Sequence, residues 1–118
     1  MEEKNRFLAR VLEDNAKEYY ENGFLAESKG QFNSSVTLFF KAISSLSDLC
    51  ILKNKGVMPS NHTERFRILE KEFPEIYKIL DTDFSFYQDS YRSKLNKEIS
   101  EMLKNDARHL FKKLSIKI

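Results

Sequence analysis

The amino-acid sequence predicts an all-α protein, folded as an antiparallel up-and-down bundle of four to five helices. Apolar residues recur at intervals of three and four along most of the chain. Only three glycines and two prolines interrupt the 118 residues, and no segment alternates between apolar and polar side chains for long enough to form a strand. With 41% hydrophobic and 32% charged residues, the chain is typical of one globular domain, here residues 1–118.

The first helix is predicted to run from about Glu3 to Lys29, with acidic and basic side chains on the face opposite its apolar residues. An Asn-Gly pair interrupts this pattern at Gly23, and such pairs favour turns. We nevertheless expect the helix to continue through Gly23 and to end at Gly30.

The second helix is predicted from about Asn33 to Asn54, with Asn33 or Ser34 as its N-terminal cap. Gly56 is expected to end it, because glycine tolerates the positive φ of a helix C-terminus. The apolar face of this helix is wide, which predicts a central position with several neighbours.

The fourth helix is expected to bend around Asp81 and Asp83, which are more typical of capping or turn positions than of metal ligands. The remaining helices follow from caps and prolines. The third runs from about His62 to Phe73 after Ser60 or Asn61, the fourth begins at Pro74, and the last runs from about Lys97 to Leu114 after Asn96.

Several function classes lack their sequence signatures. There is no phosphate-binding glycine loop, and the single cysteine, Cys50, and two distant histidines do not resemble a zinc site, so neither a cofactor nor a metal is expected. No stretch approaches the roughly 18 apolar residues of a membrane span, so no membrane association is expected. The charged N-terminus lacks an apolar signal region, which favours a cytoplasmic location.

The net charge of +2 is spread evenly over both halves of the chain, so no global field would attract nucleic acid. Cations do concentrate near the C-terminus. They are interpreted as a solvated helix face that complements the helix dipole, with a weak phosphate contact as the alternative: Lys104, Arg108, Lys112, Lys113 and Lys117.

One segment resembles a known family. Residues 30–42, GQFNSSVTLFFKA, are similar to the second-helix signature of the HEPN (higher eukaryotes and prokaryotes nucleotide-binding) superfamily. The signature is a glycine, an aromatic residue two positions later, small residues in the first turn, and then paired aromatic residues followed by alanine. Further features follow in the expected order, so that the resemblance covers residues 25–114: Lys55-Gly56, Asn61-His62 and Tyr91-Arg92.

The resemblance implies an all-α protein that is often dimeric and associated with nucleotides or RNA. Many HEPN domains are ribonuclease toxins, and others pair with a small nucleotidyltransferase in toxin–antitoxin systems. For this chain it implies a homodimer that binds a nucleotide or RNA and acts with a nucleotidyltransferase partner.

The ribonuclease motif of the family is incomplete in this sequence. In that motif, an arginine that can clamp phosphate is followed by histidine after four to six residues. Arg92 stands at the position of the arginine, but Lys97, Glu98 and Ile99 occupy the three positions for histidine. Lys104 precedes His109 at a suitable distance, yet lysine lacks the bidentate fork of arginine. We therefore expect a non-catalytic protein.

The candidate nucleotide- or RNA-binding residues are Arg92, Lys94, Lys97 and His62. Arg92 is interpreted either as an anion-binding group or as an exposed arginine paired with Asp89. His62 is interpreted as a helix-terminal histidine bonded to backbone, or as part of the same groove as Arg92.

Tyr87 and Tyr91 are more typical of core or interface positions than of base-stacking platforms. One alternative to the binding module is a ribonuclease that uses Arg92, His62 or His109 in a variant arrangement. The other is a helical scaffold or adaptor with no link to nucleotides, dimerising or binding a partner through apolar helix faces.

Overall fold

The computed structural model describes all 118 residues and confirms the all-α prediction. It contains no strand, and its five helices form a bundle. The helices are α1 (Glu3–Ser28), α2 (Phe32–Lys55), α3 (His62–Glu72), α4 (Pro74–Asp89) and α5 (Lys97–Lys113).

Helix α2 is the centre of the bundle, as its wide apolar face predicted. It packs against each of the other four helices, and 14 of its 24 residues are buried. The rings of Phe39 and Phe40 are almost fully enclosed, and burial of a large apolar side chain stabilises the fold by roughly 1.5–3 kcal/mol. Cys50 lies in the same core as a buried free thiol, and burial raises its pKa.

The expectation that no segment is apolar enough to cross a membrane is wrong for α2. By length and hydropathy Phe32–Lys55 meets the requirement for a span, although 78% of its most apolar window is buried inside the bundle. Four helices cover this apolar surface, so α2 packs here as a core helix.

The helix ends follow local backbone chemistry. Gly30 and Gly56 have φ of 72° and 75°, in the left-handed region that glycine tolerates, and they end α1 and α2 as predicted. The side chain of Asn61 accepts a hydrogen bond from the Glu64 N–H at 2.9 Å, which confirms the cap of α3. The corresponding cap of α5 is Asn96.

The predicted cap of α2 is wrong. The capping position belongs to Gln31, whose side chain makes no capping bond, and Asn33 and Ser34 already lie inside the first turn. Asn33 instead binds a distant turn, because its amide faces the segment between α4 and α5.

Helix α4 runs as one uninterrupted helix through Asp81–Asp83, so these residues occupy neither a turn nor a cap. Asp83 is fully buried and is not a cap, because its position on α4 faces the bundle. Tyr91 lies past the end of α4 and is 75% exposed, so it does not belong to the core.

Candidate functional site

The turn between α4 and α5 carries two of the predicted residues, Arg92 and Lys94. Both are exposed, and neither takes part in any ion pair of the chain. The pairing of Arg92 with the Asp89 carboxylate is not formed; only the backbone N–H of Arg92 donates to the Asp89 carbonyl, at 3.1 Å. Both positive charges are therefore free to meet an anion.

Asn33 holds this turn in place from the first turn of α2. Its Nδ2 donates to the carbonyl oxygens of Ser90 and Ser93 at 2.9 and 2.7 Å. Its Oδ1 accepts from the Leu95 N–H at 2.9 Å. One side chain thus satisfies three backbone groups of the turn, and a shallow depression of about 330 Å³ lies between Asn33 and Arg92.

Two tyrosines connect this turn to the core. The hydroxyl oxygens of Tyr87 and Tyr91 are 2.9 Å apart. This hydrogen bond, followed by the electrostatic effect of Tyr87, raises the pKa of Tyr91. The ring of Tyr87 stacks on the buried ring of Phe40, with centroids 4.7 Å apart and planes inclined by 17°. Tyr87 is anchored by this stacking, while the ring of Tyr91 remains largely open to solvent.

His62 is the first residue of α3. Its imidazole forms a hydrogen bond with the side chain of Arg65, not with the backbone. Nδ1 lies 2.7 Å from the guanidinium of Arg65, which in turn forms two bonds of 2.6 and 2.9 Å with the carboxylate of buried Asp48. Arginine only donates, so Nδ1 accepts and Nε2 carries the hydrogen. Burial, followed by the charge of Arg65, lowers the pKa of His62 and favours its neutral form.

A polar depression of about 220 Å³ opens beside this imidazole. Lys41 on its rim forms no ion pair, and the hydroxyl of Ser44 is buried with no hydrogen-bond partner. The depression is lined by Tyr19, Phe40, Lys41, Ser44, Ser45, Asp48, His62, Arg65 and Tyr87.

His62 and Arg92 do not line the same groove, contrary to one interpretation of the sequence. They occupy neighbouring depressions that share the tyrosine pair: Tyr87 lines the first and Tyr91 the second. The ammonium charge of Lys41 acts on both sides, because it contributes to lowering the pKa of His62 and opposes the rise in that of Tyr91. The two depressions are therefore neighbours, joined by the contact between the Tyr87 and Tyr91 hydroxyl groups.

Lys97 is not part of this surface. It begins α5, lies 3.8 Å from Glu101, and lines a separate depression beside Phe24. His109 is also elsewhere: its Nε2 lies 2.7 Å from the Glu75 carboxylate. Lys104, in contrast, pairs with Glu27 at 2.6 Å, so Lys104 and His109 do not form a common site.

A pair of carboxyl groups lies between α4 and α5, outside this surface. Asp83 is fully buried and neither of its oxygens has a hydrogen-bond partner. Burial, with a further contribution from the neighbouring Asp106, raises the pKa of Asp83 to about 9, so this carboxyl is protonated at neutral pH. No group of three or more His, Cys, Asp or Glu side chains is arranged to hold a metal ion.

Comparison with known proteins was made at three levels. No family model, no curated protein and no solved structure matches this chain. The HEPN resemblance therefore stays a prediction from the sequence.

Sequence reasoning missed several residues of the surface. Arg65 follows His62 by three residues in a predicted helix, a spacing that places the two on one face and would have identified the contact. Asp48 is the one acidic residue within α2, a signal for a buried charge with a partner. Lys41 and Ser44 carry no comparable signal, because their importance depends on which helices meet there.

Proposed function

We propose that this protein is a non-catalytic binding module for a nucleotide, either free or within single-stranded RNA. It forms a homodimer in the cytoplasm and acts with a partner protein such as a small nucleotidyltransferase. The observation that carries the binding proposal is a pair of unpaired cations, Arg92 and Lys94, beside the exposed ring of Tyr91, with a third unpaired cation, Lys41, in the neighbouring depression.

The chemistry of a nucleotide suits this surface at two points. A phosphate group is attracted to unpaired cations, and the guanidinium of Arg92 can donate two parallel hydrogen bonds to phosphate oxygens. A base can stack on the exposed face of Tyr91, since stacking on aromatic side chains is worth roughly 1–3 kcal/mol per base. The turn is already ordered by Asn33, so binding has little backbone entropy to overcome.

The neighbouring depression adds hydrogen-bonding groups. The neutral imidazole of His62 presents an Nε2–H donor, and the hydroxyl of Ser44 is buried without a partner. The Nε2–H donor of the exposed His62 can bind an acceptor on a base edge or a sugar. Because only a few unpaired cations meet the nucleotide, we expect modest affinity with a shallow dependence on salt concentration.

Dimerisation and the nucleotidyltransferase partner rest on the HEPN resemblance. The resemblance also places the Tyr91-Arg92 pair before the final helix, and the same pair lies at the centre of the surface described above. The proposal of a cytoplasmic location is supported by a single cysteine that is free and buried.

The test is a binding titration by fluorescence anisotropy, with a labelled 12-nucleotide single-stranded RNA as the probe and mononucleotides as competitors. The variant Arg92→Ala/Lys94→Ala is expected to weaken RNA binding about three- to tenfold and to reduce the salt dependence. Arg67→Ala, which removes an exposed arginine from α3, is the matched control and is expected to bind as wild type. The proposal would be refuted if the wild-type protein bound neither the RNA nor the mononucleotides, or if Arg67→Ala weakened RNA binding as much as Arg92→Ala/Lys94→Ala.

A second candidate function, a ribonuclease with a variant active site, is favoured by the alignment of His62, Arg65 and Asp48. An imidazole oriented by a charged pair resembles the arrangement of a general acid or base. The binding module is favoured over it because Nδ1 of His62 already accepts from Arg65, and the free Nε2 carries a hydrogen, so neither nitrogen is available as a base. RNA cleavage in the presence of a chelator that is lost in both His62→Ala and Arg92→Ala would reverse this preference.

A further inference from the structure

Helix α1 exposes large apolar side chains to solvent, and one of them, Phe24, lies at the edge of the outer face, with the Lys104 ammonium 5.5 Å from its ring centroid. Phe7, Phe24 and Leu25 are 66%, 46% and 50% exposed. Isolated apolar residues on a surface are ordinary, but these lie near the two ends of one helix face, and charged residues occupy the positions between them. Tyr19, which lines the polar depression, lies on the other side of α1.

The charges on this outer face are separated by sign along the helix. Positions 7, 10, 14, 17, 21 and 24 follow the spacing of three and four that places residues in one stripe. Arg10 lies toward the N-terminal end, whereas Asp14 and Glu21 lie further along, and none of these three forms an ion pair within the chain. Lys17 pairs with Glu13 at 3.3 Å and both remain partly exposed.

We infer that this stripe is the homodimer interface, and that α1 of a second copy of this chain docks on it in antiparallel orientation. In the register that brings Arg10 of one protomer opposite Glu21 of the other, Asp14 lies opposite Lys17 and Phe7 lies opposite Phe24. The two-fold axis then produces each of these contacts twice. A parallel, in-register pairing would instead place Arg10 against Arg10 and Glu21 against Glu21, which is repulsive.

A groove in the structure fits the phenyl ring of Phe7 in this arrangement. The C-terminal half of α1 and Ile118 line an open groove of about 430 Å³, and most of its lining is apolar. It lies next to Phe24 and Leu25, where the antiparallel register brings Phe7 of the second protomer. Each dimer would contain two such ring-in-groove contacts, and these supply the apolar centre that a stable interface needs.

The interface is of modest size. A helix of 26 residues is about 39 Å long, and a single helix pair buries an area at the lower end of the range for specific dimers. We therefore expect a dissociation constant on the order of micromolar. The interface rests on the homodimer proposed above but not on nucleotide binding, because the surface around Arg92 stays accessible in both protomers.

Sedimentation velocity of the full chain over a wide concentration range tests the interface. Wild type is expected to move from 14.0 kDa toward twice that mass as concentration rises. Arg10→Glu and Glu21→Arg are each expected to raise the dissociation constant at least about tenfold, and the double variant is expected to restore it, because the pair is then re-formed with its signs exchanged.

Arg67→Glu on α3 is the matched control, and circular dichroism confirms folding of each variant. A wild-type protein that stays monomeric, a dimer that Arg10→Glu leaves unchanged, or a double variant that fails to recover would each overturn the interface. The RNA titration described above is scored separately, so loss of the dimer and loss of nucleotide binding are distinguishable outcomes.

Discussion

Gly23 of α1 lies directly against the ring of Phe39 of α2. A Cβ atom at Gly23 would come within 2.8 Å of Cδ1 and Cε1 of that ring, closer than van der Waals contact permits. Phe39 is fully buried and also packs against Tyr20, with ring centroids 5.7 Å apart, so the ring has little room to move. The absence of a side chain at Gly23 therefore sets how closely α1 approaches the central helix.

Replacing Gly23 with alanine is expected to lower the free energy of unfolding by about 1–3 kcal/mol, the usual range for overpacking a core. Helix propensity alone would give the opposite sign, a gain of roughly 0.5–1 kcal/mol. Urea denaturation measures the difference. Asn22→Ala, at the exposed neighbouring position, is the control and should not be destabilised by overpacking. A Gly23→Ala protein more stable than wild type would contradict the close approach.

Asn33→Ala is expected to loosen the turn that carries Arg92. The substitution leaves the carbonyls of Ser90 and Ser93 and the N–H of Leu95 without their partner. We expect the free energy of unfolding to fall by about 1–3 kcal/mol. Hydrogen exchange should become faster for residues 90–96 than elsewhere. The adjacent Ser34→Ala removes an exposed hydroxyl and should leave exchange in the turn unchanged.

The Asp48–Arg65 pair is expected to be strongly coupled, because both side chains are largely buried at 6% and 12% exposure. Asp48→Asn leaves the guanidinium without its counter-charge, and the free energy of unfolding should fall by roughly 3 kcal/mol. The double variant Asp48→Leu/Arg65→Met replaces both charges with apolar groups and should recover most of this loss. Equal destabilisation in the single and double variants would indicate packing without charge coupling.

Asp83→Asn is expected to stabilise the protein progressively as pH rises. The pKa of this carboxyl is about 9 in the folded protein against an ordinary value of 3.8, so folding requires it to be protonated. Its contribution is fully present below about pH 3.8 and is lost as pH rises through about 9. The amide cannot ionise, so the stability difference between variant and wild type should widen from pH 5 to pH 9.

The control is Asp81→Asn, which lies on the same helix and is exposed. A pH-dependent gain in this control as large as that of Asp83→Asn would show that the effect is not specific to the buried carboxyl. A stability difference between Asp83→Asn and wild type that stays constant from pH 5 to pH 9 would show that the Asp83 carboxyl is ionised in the folded protein.

The sequence predicted most of the fold because helices are determined locally. The spacing of apolar residues, the caps Asn61 and Asn96, and Pro74 at the start of α4 depend on neighbours within a few residues. The same local reasoning failed at Asn33, whose amide bonds to residues about 60 positions away.

The candidate surface was predicted only in part, for the same reason. Arg92 was identified from its position in the HEPN resemblance and Lys94 from the basic stretch that follows it, and the structure leaves both exposed. The depression beside His62 joins residues of four helices, and no local pattern indicates that Tyr19 and Ser44 meet there. Asp83 was misassigned because an Asp-Thr-Asp sequence is typical of turns, whereas its burial depends on the packing of α4 against the bundle.

The most direct test of the proposed binding function is a two-dimensional ¹H–¹⁵N NMR titration with single-stranded RNA. We expect the largest shift changes at Lys41, Tyr87, Tyr91 and Arg92, with the outer face of α1 unaffected. Saturating RNA that causes no shift changes, or changes confined to the cations Arg108 and Lys112 of α5, would contradict the account.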